Sequence, residues 1–100
     1  MNLNIAIGDA IRTARMEKGM TLRDLSAKSH ISLGYLSEVE RGTKDVSSVV
    51  LDCVARGLET PLYVLVSKAS YQMMLAEEFS AIENRVTNIG EESMEKVLTW

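Results

Sequence analysis

The chain has 100 residues, 46% hydrophobic and 25% charged, with one proline and six glycines. That size and mixture fit one small globular domain with an appendage and exclude a largely disordered chain. No run approaches the roughly 18 apolar residues of a membrane helix, and Met1 to Ala10 lacks the basic start and apolar stretch of a secretory signal. The single cysteine, Cys53, cannot form an intramolecular disulfide, so a reducing, cytoplasmic setting is expected.

The formal net charge is −3, which counts against an undirected polyanion binder. The charge is unevenly spread. Residues 1–44 hold seven lysines and arginines against five acids; residues 58–100 hold three against seven glutamates. Binding to DNA would therefore rest on a few placed phosphate contacts rather than a strong general field.

Helical spacing recurs along the chain, and strand signals are almost absent. Ile7, Ala10, Ile11 and Ala14 share one face of a first helix, closed by Gly19 with Lys18 in its last turn. Thr21 is the expected N-cap of a short second helix through Leu22, Leu25 and Ser26, with Asp24 in the capping-box position, ending near Ser29 and His30. Ser32 caps a third helix stopped by Gly42, and Gly42 to Asp45 reads as a polar loop. Ser47 or Ser48 caps a fourth helix with Val50, Leu51, Val54 and Leu58 on one face. Thr60 and Pro61 read as N-cap and first position of a fifth helix running to about Glu83. A break over Asn84 to Gly90 and a short amphipathic helix from Glu91 to Trp100 complete the expectation.

The stretch TLRDLSAKSHISLGYLSEVERG, Thr21 to Gly42, places two short helices on either side of a tight connection. A helix-turn-helix needs this: the first helix lies across the phosphate backbone, and the second offers its N-terminal turn to the major groove. Leu25, Ile31, Leu36 and Val39 are spaced to fill the crossing, which leaves Ser32, Leu33, Gly34, Tyr35, Ser37 and Glu38 on the outer or leading face. Glu38 could accept from a cytosine amino group, and Tyr35 could meet a phosphate, a thymine methyl or only its own core.

Several marks recur together: Arg15, Gly19-Met20-Thr21, Ile31-Ser32, Ser37-Glu38-Val39-Glu40-Arg41-Gly42 and Ser47-Ser48. On these, residues 8 to 66 resemble the Cro and λ-repressor family of Xre-type regulators. The wording SLGYLSEVERGTKDVSS is especially similar to the actinobacterial branch that regulates Clp protease genes. The resemblance implies an all-α, five-helix λ-repressor-like DNA-binding domain over residues 1–60 with a C-terminal helical dimerisation segment over 61–100. It implies an ion pair between Arg15 and Glu40, and a homodimer on double-stranded DNA bearing an inverted repeat. Base contacts would come from Ser32, Leu33, Gly34, Tyr35, Ser37 and Glu38, and phosphate contacts from Thr21, Arg23, Lys28, Arg41 and Lys44. The chain departs from the family at Leu22, where glutamine is usual, at His30, where the turn glycine stands, and at Gly57, where alanine is common.

The fifth helix carries Leu62, Leu65, Val66, Ala69, Met73, Ala76 and Phe79 on an apolar stripe too long for one small domain to cover, so these residues are expected at a dimer interface. Cys53 is expected to be a small buried apolar residue. With one His, one Cys, no metal-ligand spacing and no glycine-rich phosphate loop, neither an enzyme nor a cofactor or metal site is expected. No membrane or small-molecule partner is evident. The competing expectation is a protein-interaction module, antitoxin-like or phage-encoded, that keeps the fold without reading DNA.

Overall fold

A computed structural model describes residues 1–89, with the side chains of residues 1–85. The described residues form five helices and no strand: α1 (Leu3–Glu17), α2 (Leu22–Ser29), α3 (Leu33–Arg41), α4 (Ser48–Gly57) and α5 (Leu62–Ile89). This is the all-α, five-helix architecture expected from the sequence.

Local chemistry sets the boundaries. The first four helices each begin on a side chain that accepts from an otherwise unpaired N–H: Asn2 from Ile5 (2.9 Å), Thr21 from Asp24 (3.0 Å), Ser32 from Tyr35 (3.3 Å) and Ser47 from Val50 (3.2 Å). At α2 the box is reciprocal, since Asp24 accepts from the Thr21 N–H at 2.9 Å. Thr60 turns its hydroxyl back to donate to the Leu58 carbonyl (3.3 Å), and Pro61 directly precedes α5.

Helices α1, α3 and α4 end alike. The chain enters the left-handed region at Gly19, Gly42 and Glu59. The next N–H then returns to the carbonyl five residues back, Met20 to Arg15, Thr43 to Glu38 and Thr60 to Ala55. At Gly42 a side chain is excluded twice, by φ 75° and because a Cβ would lie 2.7 Å from Ile5 Cα. Helix α2 ends differently. His30, at φ 59°, takes the left-handed conformation without glycine, at a cost on the order of 1 kcal/mol. Two serines hold that turn: Ser26 donates to the Ile31 carbonyl (2.6 Å), and the Ile31 N–H donates to the buried Ser29 hydroxyl (3.3 Å).

The core is filled from every helix. Ile11, Leu25, Leu36, Val39, Val54, Leu58 and Leu65 are its largest fully buried side chains. A second, smaller cluster of Ala6, Ala10 and Ala69 lets α1 and α5 pack closely. Where α1 crosses α3 the approach is backbone to backbone. A Cβ on Gly8 would lie 2.7 Å from the Glu40 carbonyl oxygen and nearer still to that of Val39.

Two expectations about the C-terminal part change, and a third is not reached. The core crosses the division drawn at residue 60, because Leu62 packs against it and Leu65 lies within it. Asn84 to Ile89 is helical, not a break; residues 62–89 contain neither glycine nor proline to stop the ladder. The short helix expected over Glu91 to Trp100 lies outside the described residues. Cys53, a free thiol, is half-buried rather than fully buried. Helix α4 runs through Gly57 to a cap at Leu58. Among the described residues, no helix is long and apolar enough to cross a membrane, and no group of three His, Cys, Asp or Glu residues is placed to hold a metal.

Candidate nucleic-acid interface

Helix α3 is anchored by Leu36 and Val39 and turns its first residues outward. Ser32 and Gly34 are exposed, while Leu33, Tyr35, Ser37 and Glu38 are partly covered. The expected base-contacting residues thus share one end of one helix, but they are not equally free. The Tyr35 hydroxyl donates to the Asp45 carbonyl (2.8 Å), so the ring lies back against the loop after α3. Ser37 accepts from Arg41 Nη1 at 2.7 Å. Glu38 stands 3.9 Å from the Lys44 ammonium, with both side chains about half exposed. A shallow groove of 660 Å³ remains beside the leading turn, lined by Thr21, Leu22, Arg23, Leu33, Gly34 and Ser37.

The expected phosphate-contacting side chains lie on α2 and its cap, at the end of α3 and in the loop after it. Thr21, Arg23, Lys28, Arg41 and Lys44 are all exposed. Thr21 already spends its hydroxyl oxygen on the α2 cap. The capping hydrogen bonds, from the Thr21 backbone first and its side chain second, hold the Asp24 carboxyl below its ordinary value, with Lys28 adding a smaller favourable charge. The start of α2, with Thr21 and Arg23, and the start of α3 therefore line one groove, an arrangement suited to anionic oxygens.

Behind the surface lies the brace. Arg15 donates from Nε to Glu40 Oε2 (2.7 Å), from Nη2 to Glu40 Oε1 (2.9 Å) and from Nη1 to the Met20 carbonyl (2.9 Å). The fork-to-carboxylate geometry is the strong form of this pair. With side-chain exposures of 15% and 8%, it is well shielded from solvent. The hydrogen bond to Glu40 raises the Arg15 pKa, and burial works against that rise. One guanidinium thus ties α1, the loop before α2 and the end of α3. Asn4 adds a second tie by donating to Asp45 Oδ1 (2.6 Å), on the loop that also holds Tyr35.

The apolar stripe of α5 divides. Leu65 and Ala69 are 2% exposed and belong to the protomer's own core, so they are removed from the expected interface. The same helix face that points outward further along packs inward here, against α1. Leu62, Met73 and Ala76 are half-buried, and Val66 and Phe79 are exposed, Phe79 at 63%. Exposed Leu3, Tyr71, Met74 and Leu75 were absent from the expected set. Tyr71, Met74 and Leu75 stand at i, i+3 and i+4, a signal present in the sequence; Leu3 comes from α1 and had none. An open apolar groove of 570 Å³ runs between Leu3, Ile7 and the α5 residues Val66, Met73 and Met74, bounded by Glu77 and Glu78.

Residues 11–65 match the helix-turn-helix family HTH_3. Over 74 residues the chain is 43% identical to the transcriptional regulator ClgR of Mycobacterium tuberculosis; the match covers 74% of this chain and 66% of that protein, so the chain spans just under two thirds of its length. Among solved structures, it is similar to the clp gene regulator ClgR from Corynebacterium glutamicum, with a TM-score of 0.76 and 39% identity over 88% of this chain and 96% of that one. It is also similar to the restriction-modification controller protein C.Esp1396I, with a TM-score of 0.69 and 28% identity over 74% of this chain and 96% of that one. From its residues, its fold and these relatives, the chain belongs to the HTH_3 family of helix-turn-helix proteins.

Proposed function

We propose that this protein is a sequence-specific DNA-binding transcriptional regulator. It acts as a homodimer that places α3, from its Ser32 cap, in the major groove of each half of an inverted repeat. The observation that carries the reading is the placement of the leading turn of α3. It carries the exposed Ser32 and Gly34, the exposed cations Arg23, Lys28, Arg41 and Lys44 lie on α2, at the end of α3 and in the loop after it, and the Arg15–Glu40 pair ties down the far end of α3. Phosphate contacts from these cations would fix register, and the face at Ser32 to Ser37 would meet base edges. Similarity to relatives named as transcriptional regulators supports the same reading. The lone thiol suits a reducing cytoplasm.

Dimerisation follows from the outer part of α5. Val66, Met73, Ala76 and Phe79, joined by Leu3, Tyr71, Met74 and Leu75, offer apolar surface that a second copy would cover. Two α3 helices would then lie about 34 Å apart, one turn of DNA.

The test is selection of bound duplexes from a random library by the full chain near physiological salt. The expected result is an inverted repeat with half-sites about ten base pairs apart. Recovery of no sequence by a folded sample would discard the DNA reading and favour the protein-interaction module.

A further inference from the structure

The groove at the leading turn of α3 is apolar where a DNA-reading surface is ordinarily polar. It is lined by Leu22, Leu33 and Gly34 together with Thr21, Arg23 and Ser37. Gly34 makes the space: a Cβ there would find no heavy atom within 4 Å, and the residue is exposed. Leu22 and Leu33 close two sides without offering a donor or an acceptor. Under the DNA reading proposed above, the polar lining and the exposed cations would hold the phosphates on either side, which would bring a base edge over the apolar lining.

Major-groove edges present donors and acceptors at every base pair, with one apolar feature, the C5-methyl of thymine. A cytosine amino group or a guanine oxygen pressed on Leu33 would lose its water and gain no partner. A methyl group loses nothing there. We infer that the pocket formed by Leu22, Leu33 and Gly34 receives a thymine methyl group, so that each half-site carries one thymine read by its methyl alone. This deepens the DNA reading proposed above and rests on it.

The experiment uses the full chain and the operator recovered by selection. Each thymine is replaced in turn by deoxyuridine, which deletes only the methyl, and affinity is measured by competition. One position per half-site is expected to lose about fourfold, the equivalent of roughly 0.8 kcal/mol for one buried methyl. At that position cytosine should bind worse than thymine, and 5-methylcytosine should recover part of the loss. Leu33→Ala removes a wall and should level thymine with deoxyuridine. Gly34→Ala sets a methyl group in the open groove without touching the rest of the chain, where it would stand in the way of the thymine methyl, and should level them too, by weakening the thymine duplex alone. Equal affinity for the thymine and deoxyuridine duplexes at every position overturns the inference while the DNA reading stands. So does a thymine preference that both variants retain, which would place the contact elsewhere. Failure of the chain to bind any duplex overturns the DNA reading, and the inference falls with it.

Discussion

The two ends of α5 obey opposite rules. At its start, Leu65 and Ala69 are as buried as any core residue and face α1. Three turns later Phe79 is 63% exposed, with Met74 and Leu75 also in solvent. Both places carry large apolar side chains and the helix does not break between them, although the outer part also holds Glu77, Glu78 and Glu83. The partner differs as well. Helix α1 covers the first turns, and its 15 residues run out while the 28 of α5 continue. An apolar stripe therefore reports that something covers it; whether that cover is the chain's own or another's depends on the length of the neighbouring helix.

Substitutions separate the two ends. Leu65→Ala empties a fully packed site and should cost about 4 kcal/mol in urea unfolding; a loss below about 1 kcal/mol would show that α5 is not part of the core. Glu40→Ala comes next, at about 3 kcal/mol, because it strands a shielded guanidinium. The same chain with Arg15→Ala added should lose little more, and full additivity in that double-mutant cycle would dissolve the brace. His30→Gly should stabilise the α2 turn by about 1 kcal/mol by removing left-handed strain. A lower unfolding midpoint would mean that the histidine side chain has a role there. Phe79→Ala should change protomer stability by less than about 0.5 kcal/mol, yet shift sedimentation toward the monomer. Unchanged sedimentation would free the outer α5 from the interface.

The smallest effect lies at Asp24, far from both ends. Its folded pKa is depressed by the Thr21 cap. Its contribution is thus complete above the ordinary carboxylate value of 3.8 and fades as pH falls through the lower folded value. NMR titration should place Asp24 below 3.8, and Thr21→Ala should return it toward that value. Titration at or above 3.8 in the parent chain would refute the capping account.

Much of this was legible in the residues. Caps at Thr21, Ser32 and Ser47 and stops at Gly19 and Gly42 are local chemistry, and local chemistry sets helix boundaries. The Arg15–Glu40 pairing came from resemblance, since nothing local joins residues 25 apart. Three things needed coordinates. Glu59 adopts the left-handed conformation with no side-chain signal for it. Gly8 is demanded by the α3 backbone, a neighbour 31 positions away. The division of α5 into inner and outer parts depends on where α1 ends in space. For the same reason Tyr35, outward by helical spacing, proves to be tied back to Asp45.

The contact at Gly8 has a mechanical meaning. Helix α1 meets the α3 backbone directly at Gly8 and packs on α5 through Ala6, Ala10 and Ala69. At these two points a motion of the outer α5 would pass to α3 through a short lever with little play. In a homodimer joined by α5, α1 would act as a ruler for the gap between the two reading helices. One base pair added between the half-sites turns the second by roughly 34°, and a ruler with so little slack cannot follow that turn.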